Sequence, residues 1–203
     1  TGKTPLCIEI FSILKKLNKN PVFVRKKYKS FQDEINLLNQ TGSVYESKKR
    51  TNALNKIDKN DSTVAILDDG FQDFSIKKDL SIVCFDEKLW IGNGFVIPSG
   101  PLRENLSALK RAACVMIKGK KNLDIEKLIY EKNKKIKIFY SKYMLKNSEK
   151  FKNRKVIGFA GIGNPKDFFN LLKDSGIILT EEIRYPDHYN YTDNDIKNLM
   201  SRS

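Results

Sequence analysis

The sequence predicts an α/β protein in which a parallel-sheet domain is followed by a second, smaller α/β domain. Three observations predict it. The chain opens on Gly2-Lys3-Thr4, the closing residues of the phosphate-binding pattern G-x-x-x-x-G-K-[ST]. Apolar residues then recur at Leu6, Ile10, Ile13, Leu14 and Leu17, the helical spacing that follows such a loop. Continuous apolar runs alternate with helical segments along the chain, the pattern of a parallel sheet covered on both faces. Together these make the first domain P-loop NTPase-like.

Element by element, residues 5–18 are expected as a helix and residues 21–24 as a short buried strand. A helix over residues 31–39 is closed by Gly42, and another is expected over 51–57. Thr63-Val64-Ala65-Ile66-Leu67 is a strand by its unbroken apolar run, and residues 80–85 form a second such strand. The texture then changes. Gly92-Asn93-Gly94 and Pro98-Ser99-Gly100-Pro101 make a turn-rich connector. A second alternation follows, with strands over 113–117, 136–140 and 156–160 and helices over 124–131 and 167–173, the last stopped near Gly176. The boundary is expected between residues 80 and 105, giving a P-loop core over 1–90 and a second domain over 91–203.

The 203 residues are 40% hydrophobic, enough for a real core, and carry a net charge of +14. Such a charge suits a polyanionic partner. Here Lys dominates Arg and is scattered, and the densest stretch, 118–155, is interleaved with Ile125, Leu128, Ile129, Ile136 and Ile138. That is the solvated face of ordinary helices and strands. Cys7, Cys84 and Cys114 have no metal-binding spacing, and their odd number argues against a disulfide framework. Cys7 and Cys84 sit in apolar runs as small core residues, which fits a reducing, cytosolic compartment. No signal peptide is visible, and no run approaches the roughly 20 apolar residues of a membrane span.

The residues with chemistry in them are few. Gly2 lets backbone N–H groups approach phosphate oxygens, Lys3 supplies charge to the outer phosphates, and the Thr4 hydroxyl suits Mg2+. Asp68-Asp69 sits at the C-terminal end of a buried strand, where open α/β sheets bind ligands and where a carboxylate can hold the magnesium opposite Thr4. Asp-Gly is also a common turn dipeptide. Arg103 lies in the connector, where an arginine can reach a transferring phosphoryl group; a surface pair with Glu104 is the plainer account. Gly161-Ile162-Gly163-Asn164-Pro165 follows a strand and opens a helix but lacks the third glycine of a dinucleotide fingerprint, so it is a tight turn. His188 is the one histidine, set among tyrosines in a Pro/Asp/Asn-rich loop. Asp33 stands in the first turn of a helix, where any acidic residue is favoured.

These pieces occur in a recognisable order. The chain resembles the tetraacyldisaccharide 4'-kinase family, the lipid A 4'-kinases of Gram-negative bacteria. The matching stretches are Thr1-Gly2-Lys3-Thr4-Pro5, Asp33-Glu34, Asp68-Asp69-Gly70-Phe71-Gln72, Gly92-Asn93-Gly94, Pro98-Ser99-Gly100-Pro101-Leu102-Arg103-Glu104, Phe159-Ala160-Gly161-Ile162-Gly163-Asn164-Pro165, and Pro186-Asp187-His188 with Tyr191-Thr192. The resemblance implies a P-loop kinase whose second domain acts as a lid. It implies Mg2+-ATP as phosphoryl donor and the 4'-hydroxyl of an acylated glucosamine disaccharide lipid as acceptor. Gly2, Lys3, Thr4 and Gln72 would serve the nucleotide, and Thr4, Asp68 and Asp69 the magnesium. Asp33 and His188 would activate the sugar hydroxyl, and Arg103 and Glu104 would belong to a loop that moves with nucleotide. A monomer at the cytoplasmic face of the inner membrane is implied, with no nucleic-acid partner.

There are departures from the family. Its D-D-G-F-Q-H has Asp73 for the histidine, its arginine-glycine-tyrosine stretch appears as Arg25-Lys26-Lys27-Tyr28, its G-D-E as Gln32-Asp33-Glu34, and its D-H-H as Asp187-His188-Tyr189. The resemblance also leads us to expect further sequence at both ends, including a first strand, the start of the P-loop and a membrane-associating segment. Two other readings remain open from the residues alone. One is a P-loop phosphotransferase with a soluble substrate. The other is a basic nucleic-acid-binding protein, which would call for clustered basic residues with stacking aromatics.

Overall fold

The computed structural model describes residues 2–27, 32–58 and 63–202, with backbone alone at Gln32 and Asp33. The chain divides into two compact units, Thr1–Lys142 and Tyr143–Ser203. The turn-rich connector at 92–101 lies inside the first unit.

The first unit begins with helix α1 (Lys3–Lys16), strand β1 (Asn20–Lys26), helix α2 (Gln32–Thr41), strand β2 (Val44–Ser47), helix α3 (Arg50–Leu54) and strand β3 (Thr63–Leu67). The three strands pair in parallel in the order β2-β1-β3. Both faces are covered, as the apolar runs demand. On one, Phe11 stacks on Phe23 with ring centroids 4.8 Å apart, beside Leu38 and Ile66. On the other, Val24 packs with Ala53 and Ile57.

A second parallel sheet, β4-β5-β6, is built from Ile82–Asp86, Cys114–Lys118 and Lys137–Ser141. Helix α4 (Leu123–Lys132) packs Ile125 and Ile129 against Val115 and Ile117. Asn122 caps α4, its side chain accepting from the backbone N–H groups of Asp124 and Ile125 at 3.1 and 3.3 Å. A cap of this kind contributes about 1 kcal/mol.

The second unit pairs β7 (Lys155–Ala160) in parallel with β8 (Ile178–Arg184) and carries helices α5 (Pro165–Asp174) and α6 (Asp193–Arg202). Phe169, Leu172, Ile177 and Ala160 form its core. The parallel α/β expectation holds. The sequence reading passed over β2, β8 and α6, and started the α3 helix one residue late and ended it three residues late. In β8 the run Thr180-Glu181-Glu182 interrupts the apolar signal. α6 is held instead by a reciprocal cap: Asp195 accepts from the Thr192 N–H at 2.8 Å, and Thr192 Oγ1 accepts from the Asp195 N–H at 3.2 Å.

Candidate active site at the end of the first sheet

Gly2 caps α1 in the left-handed region, φ 77°, which a residue without Cβ adopts at little cost. It brings Lys3 and Thr4 into the first helical turn, where backbone N–H groups lack helical acceptors and the helix dipole favours anions. The end of β3 meets them. Thr4 Oγ1 donates to Asp68 Oδ2 at 3.3 Å, both groups being buried. Lys3 Nζ lies 3.7 Å from Asp69 Oδ1. The Arg103 guanidinium reaches back from the connector to Asp69 Oδ2 at 2.5 Å.

The two carboxylates are not equivalent. Asp68 is 2% exposed, and burial pushes its carboxyl above the ordinary range, against the pull of Arg25 and with a further push from Glu34. Asp69 also feels burial, but the Arg103 hydrogen bond and the charges of Lys3, Arg103 and Arg50 outweigh it and hold the carboxyl below the ordinary range. Burial raises the Cys7 thiol, whose Sγ lies 3.9 Å from Asp68 Oδ1, and raises Cys84 to about 11. Neither thiol is a nucleophile at neutral pH.

Among the described residues no group of three or more His, Cys, Asp and Glu side chains could hold a metal on its own. Mg2+ takes hard oxygen ligands and is held by one or two carboxylates together with substrate phosphates. The Thr4 hydroxyl and the Asp68 carboxylate, adjacent and buried at a helix N-terminus, are a donor set that fits. A buried carboxylate that desolvation pushes toward protonation is one a divalent cation would ionise.

Other expected residues fall elsewhere. Glu104 accepts two hydrogen bonds from Arg111 Nη2, at 3.0 and 2.7 Å, so the surface pair anticipated between Arg103 and Glu104 does not form. Arg111 in turn stacks over Phe71 and Phe74, with its guanidinium carbon 4.7 and 4.8 Å from the ring centroids. Gln72 is half-buried in the turn after Asp69. The Asp33 side chain lies outside the described residues, as does Thr1; the backbone of Asp33 is in the first turn of α2, beside Glu34.

His188 belongs to the second unit. It is half-exposed, has φ 57°, and donates its backbone N–H to the Gly161 carbonyl at 3.1 Å. Its Nε2 is 3.9 Å from Asp187 Oδ2. The loop carrying it closes on the β7–α5 turn. A Cβ on Gly161 would stand 3.0 Å from Tyr189 Cβ and 3.1 Å from the Pro186 carbonyl oxygen. Tyr185 and Tyr189 stack at 4.7 Å, and Tyr191 meets Phe159 edge-on at 5.4 Å.

Two buried arginines carry no assigned role in the sequence reading. Arg25, at the end of β1, is buried between Glu34, which it contacts through Nη2, and Asp68 Oδ2, 3.8 Å from Nε. Its position at the end of Val22-Phe23-Val24 is a legible signal, since an arginine closing a buried strand needs anionic partners. Arg50 is equally buried, yet in Lys48-Lys49-Arg50 nothing separates it from its neighbours.

The sequence model of the tetraacyldisaccharide-1-P 4'-kinase family matches residues 25–203. The tetraacyldisaccharide 4'-kinase of Pelagibacter ubique (strain HTCC1062) is 41% identical over 98% of the chain, and that of Rickettsia bellii (strain OSU 85-389) 34% identical over 98%. The chain spans 65% and 66% of the lengths of these relatives. Among solved structures, the "apo" form of LpxK from Aquifex aeolicus in complex with ATP matches with a TM-score of 0.70 and 27% identity, covering 95% of this chain and 69% of that one. On the extent of these matches, and on the order of its motifs, the chain belongs to the tetraacyldisaccharide-1-P 4'-kinase family.

Proposed function

We propose that the protein containing this chain transfers the γ-phosphoryl group of ATP to the 4'-hydroxyl of a tetraacylated glucosamine disaccharide, a step of lipid A biosynthesis. The observation that carries the reading is the apposition of Lys3 and Thr4, at the N-terminus of α1, to Asp68 and Asp69 at the end of β3. Phosphoryl transfer needs little covalent help from protein groups and much positioning and charge stabilisation. Lys3 and the first-turn N–H groups would hold the phosphates. Thr4 and Asp68 would hold Mg2+, with Asp69 beside them; when bound, the ion would neutralise charge on the phosphate oxygens. Arg103, already directed to this corner, would add positive charge as the P–O bond breaks. The family relatives named as kinases and the ATP complex of the Aquifex protein support the assignment.

The acceptor hydroxyl is a weak nucleophile. In this reading Asp33 orients it and takes its proton as the new O–P bond forms and the bond to the departing ADP breaks. In this reading His188 shares that proton from a lid formed by residues 91–203. Closure on substrate would limit hydrolysis of ATP. In this reading the enzyme works as a monomer at the cytoplasmic face of the inner membrane, where an acylated acceptor would lie. Among the described residues no helix is long and apolar enough to cross a membrane.

The decisive assay uses the whole protein with radiolabelled ATP and either the tetraacyl disaccharide in detergent micelles or its deacylated, soluble counterpart. Label is expected on the acylated acceptor alone. Preferred transfer to the soluble sugar would overturn the lipid assignment, and transfer to neither would overturn the kinase assignment.

A further inference from the structure

Asp69 is the one carboxylate of the site whose backbone is strained: its φ is 56°, in the left-handed region that a non-glycine residue seldom occupies. Such a conformation persists when surrounding contacts over-determine it. The contacts come from Arg50. This side chain, 6% exposed, donates from Nη2 to the carbonyl oxygens of both Asp68 and Asp69, at 3.1 and 2.8 Å. One guanidinium nitrogen therefore fixes the peptide planes on either side of the Asp69 Cα. Because those planes set where Cβ points, they also set where the carboxylate points, namely toward Lys3 and Arg103.

A buried guanidinium needs an anion, and here it is Asp73, whose Oδ2 lies 3.4 Å from Arg50 Nη1. Asp73 is itself immobilised from the other side. Its Oδ1 accepts from the Ser75 N–H at 3.1 Å and from Ser75 Oγ, and its carbonyl accepts from Lys78 Nζ. Lys78 also reaches the Gly70 carbonyl at 3.4 Å. The segment after β3 is thus a closed turn with Arg50 as its centre.

We infer that Arg50 and Asp73 form a positioning unit that aims the Asp69 carboxylate at the nucleotide-binding corner, without touching the reactants. The inference rests on the phosphotransferase reading above. It assigns Asp73 a role through charge rather than through its turn: Asp73→Asn keeps an acceptor for Ser75 but loses the anion facing Arg50, whereas Ser75→Ala weakens the turn and leaves the anion.

The test uses the whole protein and two readouts, turnover and the calorimetric affinity for Mg2+-ATP. Groups that orient a ligand from behind change affinity or activity by roughly 10–100-fold on removal. Asp73→Asn is expected to lose about tenfold in both, with the melting temperature little changed and the acceptor KM unmoved. Arg50→Lys is expected to lose at least as much, because an ammonium cannot span two carbonyls and a carboxylate in one plane. Guanidinium ion should restore part of the turnover of Arg50→Ala. Ser75→Ala should behave as wild type. Near wild-type turnover and affinity in Asp73→Asn would overturn the inference, as would an equal loss in Ser75→Ala. Should Arg50→Ala fail to fold, Asp73→Asn and Arg50→Lys decide alone. Lys3→Ala run alongside separates the two ideas: full turnover in that variant sinks the phosphotransferase reading, while its loss beside an intact Asp73→Asn sinks the positioning unit only.

Discussion

The strand ends at Leu67 and Ala160 both open into turns that carry the candidate chemistry, and they are made of different materials. After β3 the turn holds Asp68 and Asp69 among Lys3, Arg25, Arg50 and Arg103, with buried guanidinium groups bound to carboxylates and carbonyls. After β7 the turn is glycine, and the loop that closes on it brings tyrosine rings and one half-exposed histidine. The first turn is held by charge, so its geometry depends on which partners are present. The second is held by shape, so its geometry depends on what fits. A site that must stabilise phosphoryl charge needs the former, since charges fixed before reaction cost no reorganisation during it. A loop that delivers one imidazole needs only close packing.

The comparison can be broken most forcefully at Lys3. Lys3→Ala is expected to lower turnover roughly 1,000-fold, in the range seen when a fixed transition-state donor is lost, with the fold intact. Steady-state kinetics with a parallel melting curve checks this, and an unaffected rate would remove the first turn from the chemistry. Next come Asp33→Ala and His188→Ala, each expected to cost roughly 100-fold. The double variant should be only slightly worse than either, because residues acting as a unit are not additive. Multiplied losses would show that the second unit's histidine acts independently of Asp33. Arg103→Ala should cost about tenfold in turnover, since Lys3 still faces Asp69, with little change in melting temperature because the pair is half-exposed. A large loss of stability with turnover retained would make Arg103 a surface partner and nothing more.

Two smaller effects on stability test charge against shape directly. Asp86, buried at the end of β4, feels burial pushing its carboxyl up, but Lys118 at 2.6 Å outweighs it and holds it below the ordinary range. Its folded value being depressed, the stabilisation is present above the ordinary carboxylate pKa of about 4 and is lost as pH falls through the lower folded value. Asp86→Asn should therefore cost roughly 1–3 kcal/mol at neutral pH, and denaturant curves of the two proteins should converge in acid. Gly161→Ala should cost about 1 kcal/mol at any pH, since the added methyl meets Tyr189 and the Pro186 carbonyl in a tight gap. A pH-dependent Gly161→Ala effect would contradict the view of that turn as built by shape.

Much of this was legible in residue order. Uninterrupted apolar runs specified β1, β3, β5 and their parallel pairing, because a strand buried on both faces has no polar position to spare. Gly2-Lys3-Thr4 and Asp68-Asp69 declared a phosphate corner, because few residue types can serve phosphate and magnesium. β8 and α6 were not legible: a strand interrupted by Thr180, Glu181 and Glu182, and a helix closed by a Thr192–Asp195 cap, carry little apolar signal. Nor could sequence show that Glu104 turns to Arg111 while Arg103 turns to Asp69. Neighbours in sequence share a backbone but not a direction.

By itself, then, the sequence determined the parallel α/β plan and which residues have the chemistry for a phosphate site. Only the tertiary structure decided that Arg25 and Arg50 are buried behind that site, that Asp68 is pushed toward protonation while Asp69 is held ionised, and that the Asp69 backbone is pinned by a guanidinium 19 positions earlier in the chain. The physical reason is range. Apolar periodicity is written within a few consecutive residues, whereas the energy of a charge is set by whatever the fold brings within a few ångströms, and that can come from anywhere in the chain.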